Sequence, residues 1–361
     1  MKLLYIVPNI NNEGGVARVL SVKANYLIEK LGYEVHILTQ NNGNLPLFYS
    51  FSNKIFFHDM MLKGVGLQFL ISYRKALKSN INTIHPDVIL VCDNGLKAFT
   101  IPIILKTKIP ILFESHGSKF IEEKQQNKYL SPIRIKLLFK DILANRFDKF
   151  IALSNESLME WDVKDGLVIP NPVWLQTDIS AILESNKVIV VARHSYEKGL
   201  DRLLFIWEKI AKIHPDWILE IYGKDVVDLE KSIKKTKIGS NIRLFNPVKN
   251  IQEKYYESAI CALTSRYESF PMVLLEAMAC GLPCVAYDCP CGPRAIINDN
   301  ENGFLIEDGN VDLFVKKLNA LIENTTLRKK MGAKAKLSSE KYNIDAIMET
   351  WNQLFIGIQS N

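Results

Sequence analysis

Apolar residues in this chain come in short unbroken runs, each closed by a polar or glycine-containing tail and followed by a stretch in which they recur every three or four positions. The first pattern is that of a strand buried on both faces, the second that of an amphipathic helix. Lys2–Pro8 is the first run, followed by the polar turn Asn9–Glu13, by Gly14-Gly15, and by a helix pattern carrying Val19, Leu20, Val22, Ala24, Leu27, Ile28 and Leu31 up to Gly32. Tyr33–Thr39 is the next strand, so the chain opens with a βαβ unit and a parallel sheet. Asp87–Val91, Pro110–Phe113, Phe147–Ser154 and Leu167–Val173 continue the series. Pro170 and Pro172 then fix an extended backbone, and the polar stretch up to Lys187 has no strand pattern, which marks a domain boundary. A second βα series runs through Lys187–Ala192, a helix over Leu200–Ile213, and strands at Trp217–Tyr222, Ile242–Phe245, Ala259–Thr264, Pro283–Tyr287 and Gly303–Ile306. Helices over Val311–Asn324, Thr326–Ser339 and Ile344–Gly357 close the chain.

Parallel open sheets bind ligands beyond the carboxyl ends of their strands, so the strand tails are where chemistry is expected. Gly14-Gly15 lies at the first such end and is either a plain tight turn or a loop that lets backbone approach a ligand. It lacks the Gly-x-Gly-x-x-Gly spacing of nicotinamide dinucleotide sites. Glu114-Ser115-His116-Gly117 follows a later strand, and His116 there is either structural or in contact with substrate. In the second half, Arg193 ends a strand and Lys198 precedes Gly199 and a helix. Two cations and unpaired helix N–H groups around one point are the composition of a diphosphate site.

The densest stretch is Arg266-Tyr-Glu-Ser-Phe-Pro-Met-Val-Leu-Leu-Glu-Ala-Met-Ala-Cys-Gly281. Pro271 suits a first helical position with Ser269 or Phe270 at the N-cap, and Gly281 a left-handed terminator. Phe270, Val273, Leu274, Ala277 and Met278 form the expected buried stripe, with Glu276 off it and Glu268 in the preceding loop. At ~1.5 Å rise per residue the two glutamate backbones stand roughly 8 Å apart, able to hold two ends of one small ligand beside a helix N-terminus. The plain alternative is one acid facing the helix dipole and one solvated glutamate.

With 361 residues, of which 48% are hydrophobic, the chain is long enough for two domains. No apolar run reaches eighteen residues and the first run is too short for a secretory signal, so the expected location is the cytoplasm. A net charge of +6 fits anionic substrates or an anionic membrane surface and is too small to argue for nucleic acid. The basic, apolar-interleaved segment 119–149, with Arg134, Lys136 and Lys140 accompanying its stripe, reads either as a face toward anionic lipid or a polyanionic acceptor, or as an ordinary solvated face over a core helix. The stretch from Met60 to Lys78 has the same two readings. Cysteines 280, 284, 289 and 291 crowd together without zinc-ribbon spacing or a nearby histidine, as reduced core thiols would.

With Gly14-Gly15, Arg193 to Lys198, Glu268 and Glu276, Gly281-Leu-Pro283 and Gly303-Phe-Leu in this order, the whole chain resembles the retaining glycosyltransferases of family 4. The Pro290-Cys-Gly-Pro-Arg294 turn is similar to that of the branch building bacterial surface polysaccharides, O-antigen and other lipid-linked glycans. The resemblance implies an α/β GT-B fold of two facing Rossmann-like domains with a cleft between them. The first, residues 1–172, would take the acceptor and the second, 173–340, the nucleotide-sugar donor, with 341–361 a helix packing back toward the first.

It further implies that Arg193 and Lys198 hold the donor diphosphate, Glu276 the ribose hydroxyls and Glu268 the donor sugar, with Phe270, Pro271, Met272, Val273 and Leu274 at the donor and the amides after Phe270 helping at sugar and phosphate. Gly14 and Gly15 would form a loop over the diphosphate, His116 would reach the sugar, and the nucleobase would lie near Phe245–Val248. Arg294 would either support the donor or brace its loop. The implied donor is a UDP-linked hexose or N-acetylhexosamine, and the implied acceptor a glycan or lipid diphosphate at the cytoplasmic face of the inner membrane, with peripheral membrane contact.

The sequence contains no Asp-x-Asp pair, so neither a metal nor another cofactor is expected, and the leaving diphosphate's charge falls to fixed cations and helix dipoles. Two other functions fit the same architecture. One is a nonhydrolysing UDP-sugar epimerase; the other is a noncatalytic glycan-binding subunit, which the retained charged residues disfavour.

Overall fold

The computed structural model of the chain describes residues 1–43, 45–120, 132–175, 177–225, 227–234 and 239–359. They form two compact units, Met1–Pro172 together with Asp345–Asn361, and Val173–Ile344. The first contains a seven-stranded sheet of β1 (Lys2–Ile6), β2 (Glu34–Gln40), β3 (Phe56–Met60), β4 (Val88–Val91), β5 (Ile111–Glu114), β6 (Lys149–Ala152) and β7 (Gly166–Val168). Its order is β3-β2-β1-β4-β5-β6-β7 with every pair parallel. Leu3 pairs with Val35 on one side and Val88 on the other, so the strand order reverses between β1 and β4.

Because successive side chains alternate across a sheet, Leu4 and Ile6 enter one core while Tyr5 faces the opposite layer. The Leu4 side packs against Tyr73, Leu77 and Ile81 of helix Gly66–Ile84 and a cluster of rings including Phe99, Phe113, Phe150 and Trp161. On the Tyr5 side lies helix Gly15–Glu29, whose Lys23 ammonium stands 6.0 Å from the Tyr5 ring and 3.7 Å from that of Trp351. Trp351 belongs to helix Ile344–Gln359, which is tied to the N-terminal segment by Tyr26 Oη donating to Asp345 (2.8 Å) and Tyr33 Oη donating to Asn352 (2.5 Å).

The second unit has a six-stranded sheet of β8 (Lys187–Val191), β9 (Ile218–Tyr222), β10 (Ile242–Phe245), β11 (Ile260–Leu263), β12 (Cys284–Asp288) and β13 (Gly303–Glu307), ordered β10-β9-β8-β11-β12-β13 and parallel throughout. Here the reversal lies between β8 and β11. Leu203, Ile206, Trp207 and Ile210 of helix Leu200–Ile213 share a core with Phe314, Leu318 and Leu321 of helix Val311–Glu323. Buried Arg328 donates to the carbonyls of Leu321 and Ile322, meeting the orphan acceptors at that helix's end, and to Leu183. All six cysteines are buried and none is disulfide-bonded.

Part of the basic segment 119–149, residues 121–131, lies outside the described residues. The rest includes helix Pro132–Ala144, and its apolar positions split into two faces. Leu137, Leu143 and Ala144 are buried, whereas Ile135, Leu138, Phe139 and Ile142 are 47–65% exposed. Lys140 does not accompany the outer face as expected; it is buried, 5.6 Å from the Phe99 ring.

Candidate active site

The reversal between β8 and β11 sets two loops side by side, the first carrying Arg193 and Lys198, expected to hold a diphosphate, and the second Glu268. After β8 the chain makes a single helical turn at Tyr196–Lys198, and Gly199 adopts φ +62° before helix Leu200–Ile213 begins. A side chain at Gly199 would meet the Thr264 carbonyl at 2.1 Å, and the Thr264 hydroxyl donates to the Gly199 carbonyl (3.0 Å), so backbone lies directly on backbone here. Arg266 adds to this contact. Its N–H donates to the Glu197 carbonyl (2.7 Å), its guanidinium grips Asp201 with two bonds, and it covers the Tyr196 ring at 4.3 Å. The bond from Arg266 holds the Asp201 carboxyl below its ordinary range.

Across this pinned seam Lys198 Nζ meets Glu268 Oε1 at 2.6 Å, and the Ser265 hydroxyl donates to the same oxygen (2.7 Å). Arg193, the other expected phosphate ligand, is paired instead with Glu197 on its own loop and is 59% exposed. Each cation is therefore balanced by its own glutamate. The Pro290–Arg294 turn supports the Glu268 loop from outside. Gly292 has φ +55°, and a Cβ there would lie 2.7 Å from Pro271 and 3.1 Å from Glu268. Arg294 braces that turn by a two-bond pair with Asp288 (2.8 and 2.6 Å).

The helix that follows Glu268 runs over Met272–Ala279 and corrects three expectations. Pro271 is the N-cap rather than the first helical residue, with φ −73° and ψ 95°, so the first turn has no side-chain cap. The helix has no single buried stripe, because every residue in it is buried except half-buried Val273. Phe270 and Leu274 belong to the core, Phe270 edge-on to Tyr342 at 5.5 Å, so neither side chain is presented to solvent. Glu276 is buried rather than solvated. Trp174 Nε1 donates to its Oε1 (2.6 Å) and Tyr255 Oη to its Oε2 (3.0 Å). Burial and the adjacent Glu276 charge push the Tyr255 phenol well up. Gly281 ends the stretch at φ +79°, left-handed as expected.

In the first unit, Gly14 is the N-cap of helix Gly15–Glu29 at φ −71° and accepts the first intrahelical bond from Arg18. Neither glycine of the pair needs its conformational freedom, and a Cβ at Gly15 would meet nothing within 4 Å. His116 follows β5 and is held in a cluster that the residue pattern did not announce. Its Nε2 lies 3.4 Å from Glu114 Oε1, which also accepts from Lys23 Nζ at 2.6 Å, and Cys92 Sγ lies 3.5 Å from Glu114 Oε2.

Lys23 and Glu114 are each only 2% exposed. Burial acts to raise the Glu114 pKa, but the charges of Lys23 and His116 outweigh it and hold the carboxyl well below the usual range. Burial and Glu114 push the Cys92 thiol up. Cys92, Glu114 and His116 present their ligand atoms within 4.8 Å of one another, yet a cation there would have to displace a lysine already in contact with the carboxylate. The warning sign in the sequence was a lysine at position 23 on the buried side of a helix, between Leu20 and Leu27. On the sheet of the second unit, Phe245 stacks on Tyr222 at 4.7 Å where the nucleobase was expected.

Comparison with known proteins agrees along the chain. Residues 13–176 match the glycosyltransferase family 4 profile and residues 175–338 that of glycosyl transferases group 1. The amylovoran biosynthesis glycosyltransferase AmsD of Erwinia amylovora is 30% identical over 98% of this chain and 99% of its own. Sucrose-phosphate synthase of Thermosynechococcus elongatus superimposes with a TM-score of 0.85 at 16% identity over 99% of both chains. HepE of Anabaena, crystallised with UDP and glucose, does so at 0.77 and 20% over 99% of this chain and 100% of its own. Two parallel Rossmann-like units, their strand-order reversals and these matches together make the chain a family 4 glycosyltransferase of the GT-B fold.

Proposed function

We propose that the enzyme transfers a hexose or N-acetylhexosamine from a UDP-sugar to a glycan or lipid-linked acceptor in bacterial surface-glycan synthesis, with retention at the anomeric carbon and without a metal. The observation that carries this reading is the Lys198–Glu268 pair set across the β8/β11 reversal, beside a helix N-terminus whose cap offers no side chain. AmsD, named for amylovoran biosynthesis, supports the class of product, and HepE's complex with UDP and glucose supports the donor.

In this reading Lys198 and Arg193 turn from their glutamates to the diphosphate as its charge grows. The bond from the anomeric carbon to the diphosphate oxygen breaks. The acceptor oxygen bonds to that carbon on the same face, and its proton passes to the departing phosphate. Glu268 holds the sugar, and no protein nucleophile is required.

The test is thermal shift with UDP, GDP and UDP-hexoses, with and without EDTA, since a ligand of the folded state raises its stability. An upward shift of several degrees with one base, unchanged by EDTA and absent in Arg193→Ala, is expected. A shift that vanishes with EDTA would overturn the metal-free site, and product formed from UDP-sugar without acceptor would favour an epimerase.

The proposed peripheral membrane contact is supported by the exposed faces of two helices. Among the described residues no helix is long and apolar enough to cross a bilayer. Yet helices Gly66–Ile84 and Pro132–Ala144, which cover the same sheet face, expose Leu67, Leu70, Ile71, Ile135, Leu138, Phe139 and Ile142 beside exposed Arg74, Lys75, Arg134 and Arg146. Exposed apolar side chains on helices that also expose cations fit an anionic bilayer surface. Flotation with vesicles containing anionic lipid should recover most of the protein, and Leu138→Asp with Ile142→Asp should leave it at the bottom of the gradient. Equal recovery on neutral and anionic vesicles would refute the electrostatic part.

A further inference from the structure

Glu276 reaches its position through two donors that come from separate places in the chain. Trp174 stands two residues beyond the first unit, in the connector, and that connector is fixed by the Val173 N–H donating to the Tyr342 carbonyl (2.8 Å) and by a bridge between Val173 and Asn343. The indole is half-buried and its Nε1 lies 2.6 Å from Glu276 Oε1. Tyr255, fully buried on helix Ile251–Tyr256, supplies the second bond, to Oε2. With a donor on each oxygen the rotation of the carboxylate is fixed, which as a terminal torsion would otherwise be broad.

We propose that Trp174 and Tyr255 are positioning residues for the donor's ribose, setting the orientation in which Glu276 meets its hydroxyls and so the preference for ribonucleotides over deoxyribonucleotides. The proposal rests on the reading of Glu276 as the ribose carboxylate. A carboxylate aimed in advance contributes its full charge-assisted bond to a ribose hydroxyl, whereas one that must first be ordered on binding contributes less. A site built around such a hydroxyl discriminates strongly against the analogue lacking it. Binding of a nucleotide without the hydroxyl gains nothing from that orientation.

The experiment is calorimetric titration with UDP or GDP, whichever the thermal-shift panel selects, and with its 2′-deoxy and 3′-deoxy forms. The proteins are wild type, Trp174→Phe, Tyr255→Phe and Glu276→Gln. Tyr255→Phe removes only the donor, Trp174→Phe removes the donor with part of the indole while keeping an aromatic ring, and circular dichroism checks that both fold.

The expected result is that wild type prefers the ribonucleotide by about tenfold or more, the worth of one hydrogen bond to a charged group. Trp174→Phe and Tyr255→Phe should each lower that ratio at least threefold, by weakening the ribonucleotide and leaving the deoxy form within a factor of two. If both variants lose affinity for the two forms equally, the donors only brace the fold and the proposal is overturned, with the ribose reading intact. An unchanged ratio in Glu276→Gln overturns the ribose reading itself, and this proposal with it.

Discussion

Lys198→Ala should lower kcat/KM for sugar transfer by about 10²–10³-fold, the usual loss when one preorganised contact to transition-state charge is removed. Its thermal midpoint should move only a few degrees. The two expectations separate because Lys198, its side chain 26% exposed, meets Glu268 Oε1 at the seam between two loops that hold each other by backbone contacts. A partly solvated ion pair contributes no more than about 1 kcal/mol to folding. Glu268 would keep the bond from the Ser265 hydroxyl, so it would not be stranded. Lys198→Arg should recover part of the rate, since it restores charge without the compact ammonium. Initial rates of product formation beside a melting curve decide the matter, and a Lys198→Ala enzyme turning over at the wild-type rate would remove Lys198 from the mechanism.

The second large effect should be on stability. Lys23→Met leaves the Glu114 carboxylate buried without its cation, and Glu114→Gln does the converse; each should cost roughly 3–5 kcal/mol in urea denaturation. The double variant should recover a large part of that loss, because no unpaired charge remains. The pH dependence has a definite sign. The folded Glu114 pKa lies below its unfolded value, so in the wild type the stabilisation is complete above about pH 4 and is lost as pH falls through the folded pKa. In Lys23→Met burial is no longer opposed by that ammonium, so the deficit should be larger at pH 8 than at pH 5. A deficit that does not change between these pH values would mean that the pair carries no net electrostatic stabilisation.

Most of the architecture was legible because a buried parallel strand needs an unbroken apolar run and the helices between strands need a 3.6-residue period. Strand β3 was not, since Phe56-Phe-His-Asp-Met at the sheet edge satisfies neither pattern; its place is fixed by pairing with β2. The loop ends bearing Lys198, Glu268 and His116 were legible for a different reason, in that glycine and charge collect where backbone must turn at the carboxyl end of a strand. What spacing could not disclose was which carboxylates are enclosed. Glu276 falls off the stripe drawn from its neighbours, yet the helix is covered all round and Trp174 and Tyr255 approach it from segments 102 and 21 residues away. The Lys23–Glu114 pair is likewise a contact across 91 residues, visible only once helix and strand are packed.

The return of helix Ile344–Gln359 to the unit formed by residues 1–172 also bears on the order in which the chain is made. A ribosome releases the N-terminal sheet first, but Trp351, which lies 3.7 Å over the Lys23 ammonium, is synthesised only after the whole of Val173–Ile344. At about 5–20 residues per second, the stretch from Pro172 to Trp351 takes roughly 10–40 s to appear. During that interval the contiguous second unit, Val173–Ile344, has all it needs to close its own core, while the earlier one waits with its lysine uncovered. The unit translated first is therefore the one completed last, and a nascent chain arrested before residue 345 should be cut by protease within residues 1–172 and protected in the segment that follows.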